Sequence, residues 1–215
     1  MCGIVGYIGH NKAVDVLLDG IKRLEYRGYD SSGIAFIEDG ILKCEKAVGK
    51  IAELEKKLDG MNFNTHIGIV HTRWATHGAP TIANAHHHID CHNEIAVVHN
   101  GIIENYDYLK LKLEREGHVF QSETDTEVLS HLIEKYFKGN LEMAVMEALK
   151  EVEGTYGIAA ISIKDPQKIV AARRGSPLVL GIGNQEYFIT SDISASLEHT
   201  RDVVYLDDNE VAILT

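Results

Sequence analysis

Two segments, Ile95-Ala-Val-Val98 and Ile158-Ala-Ala-Ile161, carry no polar residue on either face. Successive side chains of a strand point to opposite faces, so a wholly apolar strand needs cover on both sides. Most other predicted strands are linked by short turns, and the helices come in bursts rather than alternating with strands. That pattern favours an α+β fold with antiparallel sheets over a doubly wound parallel sheet. Two stacked sheets with helices outside would supply the cover.

Residues 3–8 read as a short apolar strand. Asn11 is placed to cap a helix in which Val14, Leu17, Leu18, Ile21 and Leu24 recur at helical spacing. Asp39-Gly40 divides strands over 34–38 and 41–48 as a hairpin turn. Ile51, Leu54 and Leu58 mark a short amphipathic helix, and residues 67–71 a strand. Residues 73–93 show almost no apolar periodicity and read as a long loop, usually functional or mobile in a compact domain. A strand over 95–99 ends at Asn100-Gly101. Helices are predicted over 106–115, 125–137 and 141–152, and a short one over 193–198. Further strands are predicted over 156–163, 168–173, 178–182, 187–190, 203–206 and 210–214. No repeat or linker interrupts the chain, so residues 1–215 read as one domain.

With 21 basic and 32 acidic residues the formal net charge is −11. Nucleic acid and anionic membrane surfaces both require a cationic footprint, so neither is an expected partner. No apolar run approaches the roughly 18 residues of a membrane-spanning helix, and the N-terminus lacks the basic start of a secretory signal. Three cysteines, Cys2, Cys44 and Cys91, are too few and uneven for a disulfide framework. They point to a reducing compartment, the cytoplasm.

Cys2 is the first chemical anomaly. The second position of a chain is usually frayed, yet here it leads directly into an apolar strand. With Met1 removed, one residue would carry both a thiol, of ordinary pKa about 8.5, and an α-amine of about 7.7–8.0. The amine could take the thiol proton without a second residue having to be positioned. Packing at a strand start is the competing reading.

Asn100-Gly101 reads locally as a turn, although Ile102 to Tyr106 look like the approach to a helix and not a return strand. The chemical alternative is an oxyanion hole built from the Asn100 amide and the Gly101 N–H. In His71-Thr-Arg-Trp-Ala-Thr-His-Gly78, Arg73 is either a surface cation or a clamp for a carboxylate. Trp74, the only tryptophan, is a lid or a packing anchor. Within Ser122-Glu-Thr-Asp-Thr-Glu127, Thr124 suits a helix N-cap, and Asp125 suits either the helix dipole or a substrate ammonium. Asn84-Ala-His-His-His-Ile-Asp-Cys-His92 holds enough donors for zinc, but their spacing matches no closed tetrahedral pattern, so no metal is assigned.

These stretches, together with Cys2-Gly-Ile-Val-Gly6, Arg23-Leu-Glu-Tyr-Arg-Gly-Tyr-Asp-Ser-Ser-Gly33 and Arg174-Gly-Ser-Pro-Leu178, resemble the glutaminase domain of the glutamine–fructose-6-phosphate aminotransferase family, the class II glutamine amidotransferases that make glucosamine 6-phosphate. The resemblance covers essentially the whole chain. Arg23 to Gly33 sets it apart from amidophosphoribosyltransferase and glutamate synthase relatives. It implies an N-terminal-nucleophile hydrolase fold, a four-layer α/β/β/α sandwich of two antiparallel sheets.

The resemblance also implies the chemistry. Cys2 attacks the side-chain amide of L-glutamine to give a γ-glutamyl thioester, and Asn100 and Gly101 form the oxyanion hole. Arg73 holds the substrate α-carboxylate and Asp125 its α-ammonium. Trp74, Thr76 and His77 fall on the loop that closes over glutamine, while Arg27-Gly28 lies near the nucleophile. No cofactor is implied. His87 stands where the family usually has proline, which is expected to loosen the loop.

In the family a C-terminal sugar-phosphate isomerase domain follows, with fructose 6-phosphate as the ammonia acceptor, and the whole enzyme is expected to be a homo-oligomer. The chain stops at Thr215, so it is expected to be cut at that boundary. Two other readings stand beside this one: a glutamine sensor that keeps Arg73 and Asp125 without using Cys2, and a metal hydrolase built on His86, His88 and His92.

Overall fold

The computed structural model describes residues 2–74 and 78–215. Its strands are β1 (Gly3–Gly9), β2 (Ser31–Glu38), β3 (Ile41–Val48), β4 (Ile67–Arg73), β5 (His88–Ile89), β6 (Ile95–Ile103), β7 (Gly154–Ser162), β8 (Ile169–Arg174), β9 (Val179–Ile182), β10 (Glu186–Thr190), β11 (Val203–Tyr205) and β12 (Val211–Leu214). Its α-helices are α1 (Ala13–Lys22), α2 (Ile51–Leu58), α3 (Tyr106–Arg115), α4 (Glu127–Tyr136) and α5 (Leu141–Lys150).

Two antiparallel sheets form, in the orders β11-β9-β10-β1-β4-β2-β3 and β12-β8-β7-β6-β5. Three buried clusters follow from this layering. One joins α1 and α2 to the first sheet, through Leu17, Ile21 and Leu54 against Val5, Ile34 and Val70. Another joins α3, α4 and α5 to the second sheet, through Leu113, Leu129 and Val145 against Val97 and Ile158. The third lies between the sheets and contains Ile4, Ile69, Val98, Ala159 and Ala171. The doubly apolar segments of β6 and β7 are therefore covered on both faces, as their sequence requires. Each fully buried Leu, Ile or Val in these clusters contributes about 1.5–3 kcal/mol relative to exposure.

Local signals account for many boundaries. In α1 the buried Val14, Leu17 and Ile21 share a face, with Asp15 in the first turn and Lys22 in the last complementing the helix dipole. Asp39 and Gly40 both adopt positive φ, 53° and 74°, which matches the right-handed twist of the hairpin they connect.

Four local expectations are corrected. Asn11 does not cap α1. Lys12 occupies the cap position in extended conformation, and the Asn11 side chain donates instead to Glu186 Oε2 at 3.0 Å. Thr124 does not cap α4. The helix starts at Glu127, and the Thr124 hydroxyl pairs with His88 Nε2 at 2.9 Å. Asn100-Gly101 is not a turn, because β6 runs on to Ile103 with Asn100 opposite Gly157 and Gly101 opposite Tyr156. The short helix expected over 193–198 is a single 3₁₀ turn, Ile193–Ala195. The loop over 73–93 contains β5, and Asn84, Ala85, His86, His87 and His88 are all buried.

Candidate active site

The site lies where the ends of the two sheets meet. β1 is flanked by β4 and β10, with Gly3 opposite Thr72. Cys2, one residue before Gly3, is thereby brought to the end of β4. The Trp74 N–H points at Cys2 Sγ from 3.2 Å, and Sγ lies 3.7 Å from the Trp74 carbonyl. From the second sheet the Asn100 Nδ2 group donates to the Cys2 carbonyl oxygen at 2.9 Å. That bond fixes which end of the Asn100 amide is nitrogen. Its Oδ1 therefore accepts from His71 Nε2, 3.0 Å away. His71 is buried, which pushes its pKa down to about 3, so the ring is neutral and carries its proton on Nε2.

Gly101 follows at φ +136°, and a Cβ there would sit 2.1 Å from the Thr155 carbonyl oxygen. Only glycine fits this strand position. Gly28 is constrained by close approach, since a Cβ would meet the Arg73 carbonyl carbon at 2.6 Å. Thr72 Oγ1 donates to the Gly28 carbonyl at 2.5 Å, which holds that segment against the end of β4. Arg27, beside it, is ion-paired with Asp192 at 2.7 Å.

Arg73, the last residue of β4, is only 4% exposed. Its guanidinium donates to the carbonyls of Ala79 and Gly78 at 3.4 and 3.3 Å. Burial lowers its pKa, and the nearby acidic groups of Cys2, Asp30 and Asp125 oppose that shift. Asp125 is buried, and its Oδ2 accepts the Ile103 N–H at 2.8 Å, which ties it to the end of β6. Burial raises the Cys2 thiol above its ordinary value, opposed by the Trp74 N–H and Arg73. The thiol is thus the resting form and needs a proton acceptor to become a nucleophile.

One cavity is lined by Cys2, Arg73, Trp74, Asn100, Gly101 and Asp125, with His86, His99, Thr124 and Thr126 completing its wall. A second, of about 300 Å³, shares Cys2, Trp74, Asn100 and Gly101 and continues past Arg27 and Ile102 to Ser176 and Pro177. Six of the eight residues singled out in the sequence therefore share one cavity. The other two, Thr76 and His77, lie outside the described residues. Trp74 is 44% exposed, with its ring edge-on to Tyr29 at 5.4 Å between centroids.

Several residues hold the site in place in roles that the sequence does not indicate. Asn84 accepts the Glu123 N–H at 2.9 Å and donates to the Ala79 carbonyl at 3.0 Å, joining the loop after Arg73 to the segment before Asp125. His99 Nδ1 accepts from the Thr126 hydroxyl at 2.8 Å while Nε2 donates to the Thr155 carbonyl. The His86 ring stacks on His71 at 4.2 Å. Among the described residues His86, His88 and His92 do not converge as a ligand set, which corrects the metal-hydrolase reading built on them.

A cysteine heading a central strand of two helix-covered antiparallel sheets defines the N-terminal-nucleophile hydrolase class. The same architecture occurs in the glutamine phosphoribosylpyrophosphate amidotransferase of B. subtilis, which superposes with a TM-score of 0.85 at 26% identity over 99% of this chain and 47% of that one. A class II glutamine aminotransferase domain protein from Silicibacter pomeroyi shares the fold at a TM-score of 0.67 and 15% identity, over 99% of this chain and 94% of that one.

The glutamine amidotransferase domain family matches residues 79–198, more than half of the chain, and the chain belongs to that family. It is 54% identical over its whole length to the glutamine–fructose-6-phosphate aminotransferase (isomerizing) of Clostridium perfringens and 52% identical to that of Pyrococcus horikoshii. It spans 35% and 36% of those relatives. No helix among the described residues is long and apolar enough to cross a membrane.

Proposed function

We propose that this chain hydrolyses the side-chain amide of L-glutamine through Cys2, giving glutamate and ammonia. The observation that carries the reading is the placement of a buried arginine, a buried carboxylate and a hydrogen-bonded thiol in one cavity. Glutamine presents a carboxylate, an ammonium and a neutral amide. Arg73 takes the first, Asp125 the second, and Cys2 Sγ faces the third. Trp74, with Thr76 and His77 beyond it, closes over the bound amino acid.

In the sequence Met1 precedes Cys2, so removal of Met1 generates the α-amine that serves as base. The amine accepts the thiol proton as Sγ bonds to the amide carbon. The Asn100 Nδ2 group and the Gly101 N–H stabilise the resulting oxyanion, each such donor being worth about 3 kcal/mol to the transition state. The ammonium form of Cys2 returns its proton to the leaving nitrogen as the C–N bond breaks. Water then cleaves the γ-glutamyl thioester, releasing glutamate and restoring the thiol.

In the whole protein we place the ammonia with a C-terminal sugar-phosphate isomerase domain, where fructose 6-phosphate becomes glucosamine 6-phosphate. The names of the relatives support this, as does the share of their length that the chain covers. We place the enzyme in the cytoplasm as a homo-oligomer.

The test is steady-state release of glutamate and ammonia by the Met1-free chain and by Cys2→Ala. Activity is expected in the first and none above background in the second, with unchanged circular dichroism. Equal activity in both would remove Cys2 from the mechanism. Glutamine binding without turnover in the Met1-free chain would favour the sensor.

A further inference from the structure

Four side chains that the amide chemistry does not use converge at one edge of the second sheet. Cys91 lies in the turn between β5 and β6, His118 in the connection from α3 to α4, and His131 and Glu134 stand three residues apart on α4. Their donor atoms all lie within 4.8 Å of one another. Cys91 Sγ is 3.7 Å from His118 Nδ1 and 3.5 Å from His131 Nδ1. Glu134 Oε2 is 2.9 Å from His118 Nδ1 and 3.3 Å from His131 Nδ1. None of the four lines either cavity at Cys2.

We propose that Cys91, His118, His131 and Glu134 bind one structural zinc ion. Zinc–sulfur bonds of about 2.3 Å and zinc–nitrogen or zinc–oxygen bonds of about 2.0–2.1 Å set tetrahedral edges of about 3.3–3.6 Å. The four separations above bracket that range. One thiolate, two imidazoles and one carboxylate suit a borderline-soft cation, whereas magnesium and calcium select all-oxygen shells. Four protein donors fill a tetrahedron and leave no position for reacting water, which makes the site structural.

A second observation points the same way. His131 is 1% exposed, and among the described residues its Nε2 has no partner within hydrogen-bond distance, the Glu127 Oε1 atom lying 3.6 Å away. With zinc on Nδ1 the ring proton must sit on Nε2, facing that carboxylate. A slight approach gives the carboxylate–histidine–metal arrangement that orients metal ligands. Glu127 in turn accepts the N–H groups of Gln121 and Ser122 at 2.8 and 2.7 Å. The ion thus clamps the β5–β6 turn and the α3–α4 connection onto α4, and through Glu127 it steadies the segment leading to Asp125. Cys91 is exposed, which gives the metal a route in.

The test is titration of the untagged, chelator-stripped chain with Co²⁺ under reducing conditions, followed by Zn²⁺ competition and metal analysis. One equivalent of Co²⁺ is expected, with tetrahedral visible bands and a thiolate-to-cobalt charge-transfer band that zinc abolishes. Cys91→Ser should remove the charge-transfer band, and both Cys91→Ser and His118→Gln should weaken binding at least about 100-fold. Zinc should raise the Tm of the parent chain and of neither variant. Absence of stoichiometric binding would overturn the proposal. So would equal affinity in both variants, or a charge-transfer band that survives Cys91→Ser and disappears in Cys2→Ala.

Discussion

The backbone N–H of Trp74 reaches Cys2 Sγ at 3.2 Å, so the residue that follows the buried Arg73 also touches the sulfur. This pairing is a consequence of sheet register. Gly3 opposite Thr72 and Ser31 opposite Arg73 bring the chain start and the end of β4 together without any contact specific to glutamine. The proposed nucleophile and carboxylate clamp are therefore placed by the rigid core of the first sheet, while Asn100, Gly101 and Asp125 are placed by the second.

Asp125→Asn separates charge from structure. An asparagine oxygen can still accept the Ile103 N–H, so folding is expected to persist. The charged partner for a substrate ammonium is lost, at about 1.5–3 kcal/mol. We expect kcat/KM for glutamine to fall about 10- to 150-fold with little change in Tm. Steady-state kinetics beside a thermal melt checks this, and unchanged kcat/KM would remove Asp125 from substrate binding.

Gly101→Ala tests the strand conformation at the proposed oxyanion hole. The φ of +136° and the 2.1 Å approach to Thr155 O leave no room for a methyl group. The substitution is expected to cost more than about 2 kcal/mol in urea unfolding and to reduce kcat more than it raises KM. A variant of parental stability and rate would show that this glycine is dispensable.

How much of this arrangement the sequence revealed depends on the range of the interactions. The strands β6 and β7 are legible because their apolar content alone demands burial. Arg73 and Asp125 read locally as a surface cation or a clamp and as a helix-dipole partner or an ammonium ligand, and only the resemblance to the family chose between them. Asn100-Gly101 looks like a turn because local preference favours one, but its pairing with Gly157 and Tyr156 across β7 overrides that preference. Thr124 misleads as a cap for the same reason, since its hydroxyl is taken by His88. The cluster of Cys91, His118, His131 and Glu134 is invisible to spacing rules because three separate segments contribute to it.

The buried histidines make stability sensitive to acid. Burial pushes His71 to about 3, and lowers His86, His87, His88 and His99 as well. Below the unfolded value of about 6.5 the unfolded chain binds protons that the folded chain does not, so stability falls as pH falls. One pH unit below that value costs about 1.4 kcal/mol per histidine, and several act together. The urea midpoint is expected to drop steeply between pH 6.5 and 5, before most carboxylates titrate. A flat midpoint across that interval would show that these rings are accessible to protons.

The thioester itself offers the most direct measurement. The Met1-free chain is mixed with glutamine, quenched in acid within one turnover, digested and read by mass spectrometry. A γ-glutamyl group on the Cys2 peptide, absent from the Cys2→Ala chain and from chain that retains Met1, is the expected result. Full glutaminase turnover by chain that retains Met1, or an acyl group found on any residue other than Cys2, would contradict the proposed mechanism.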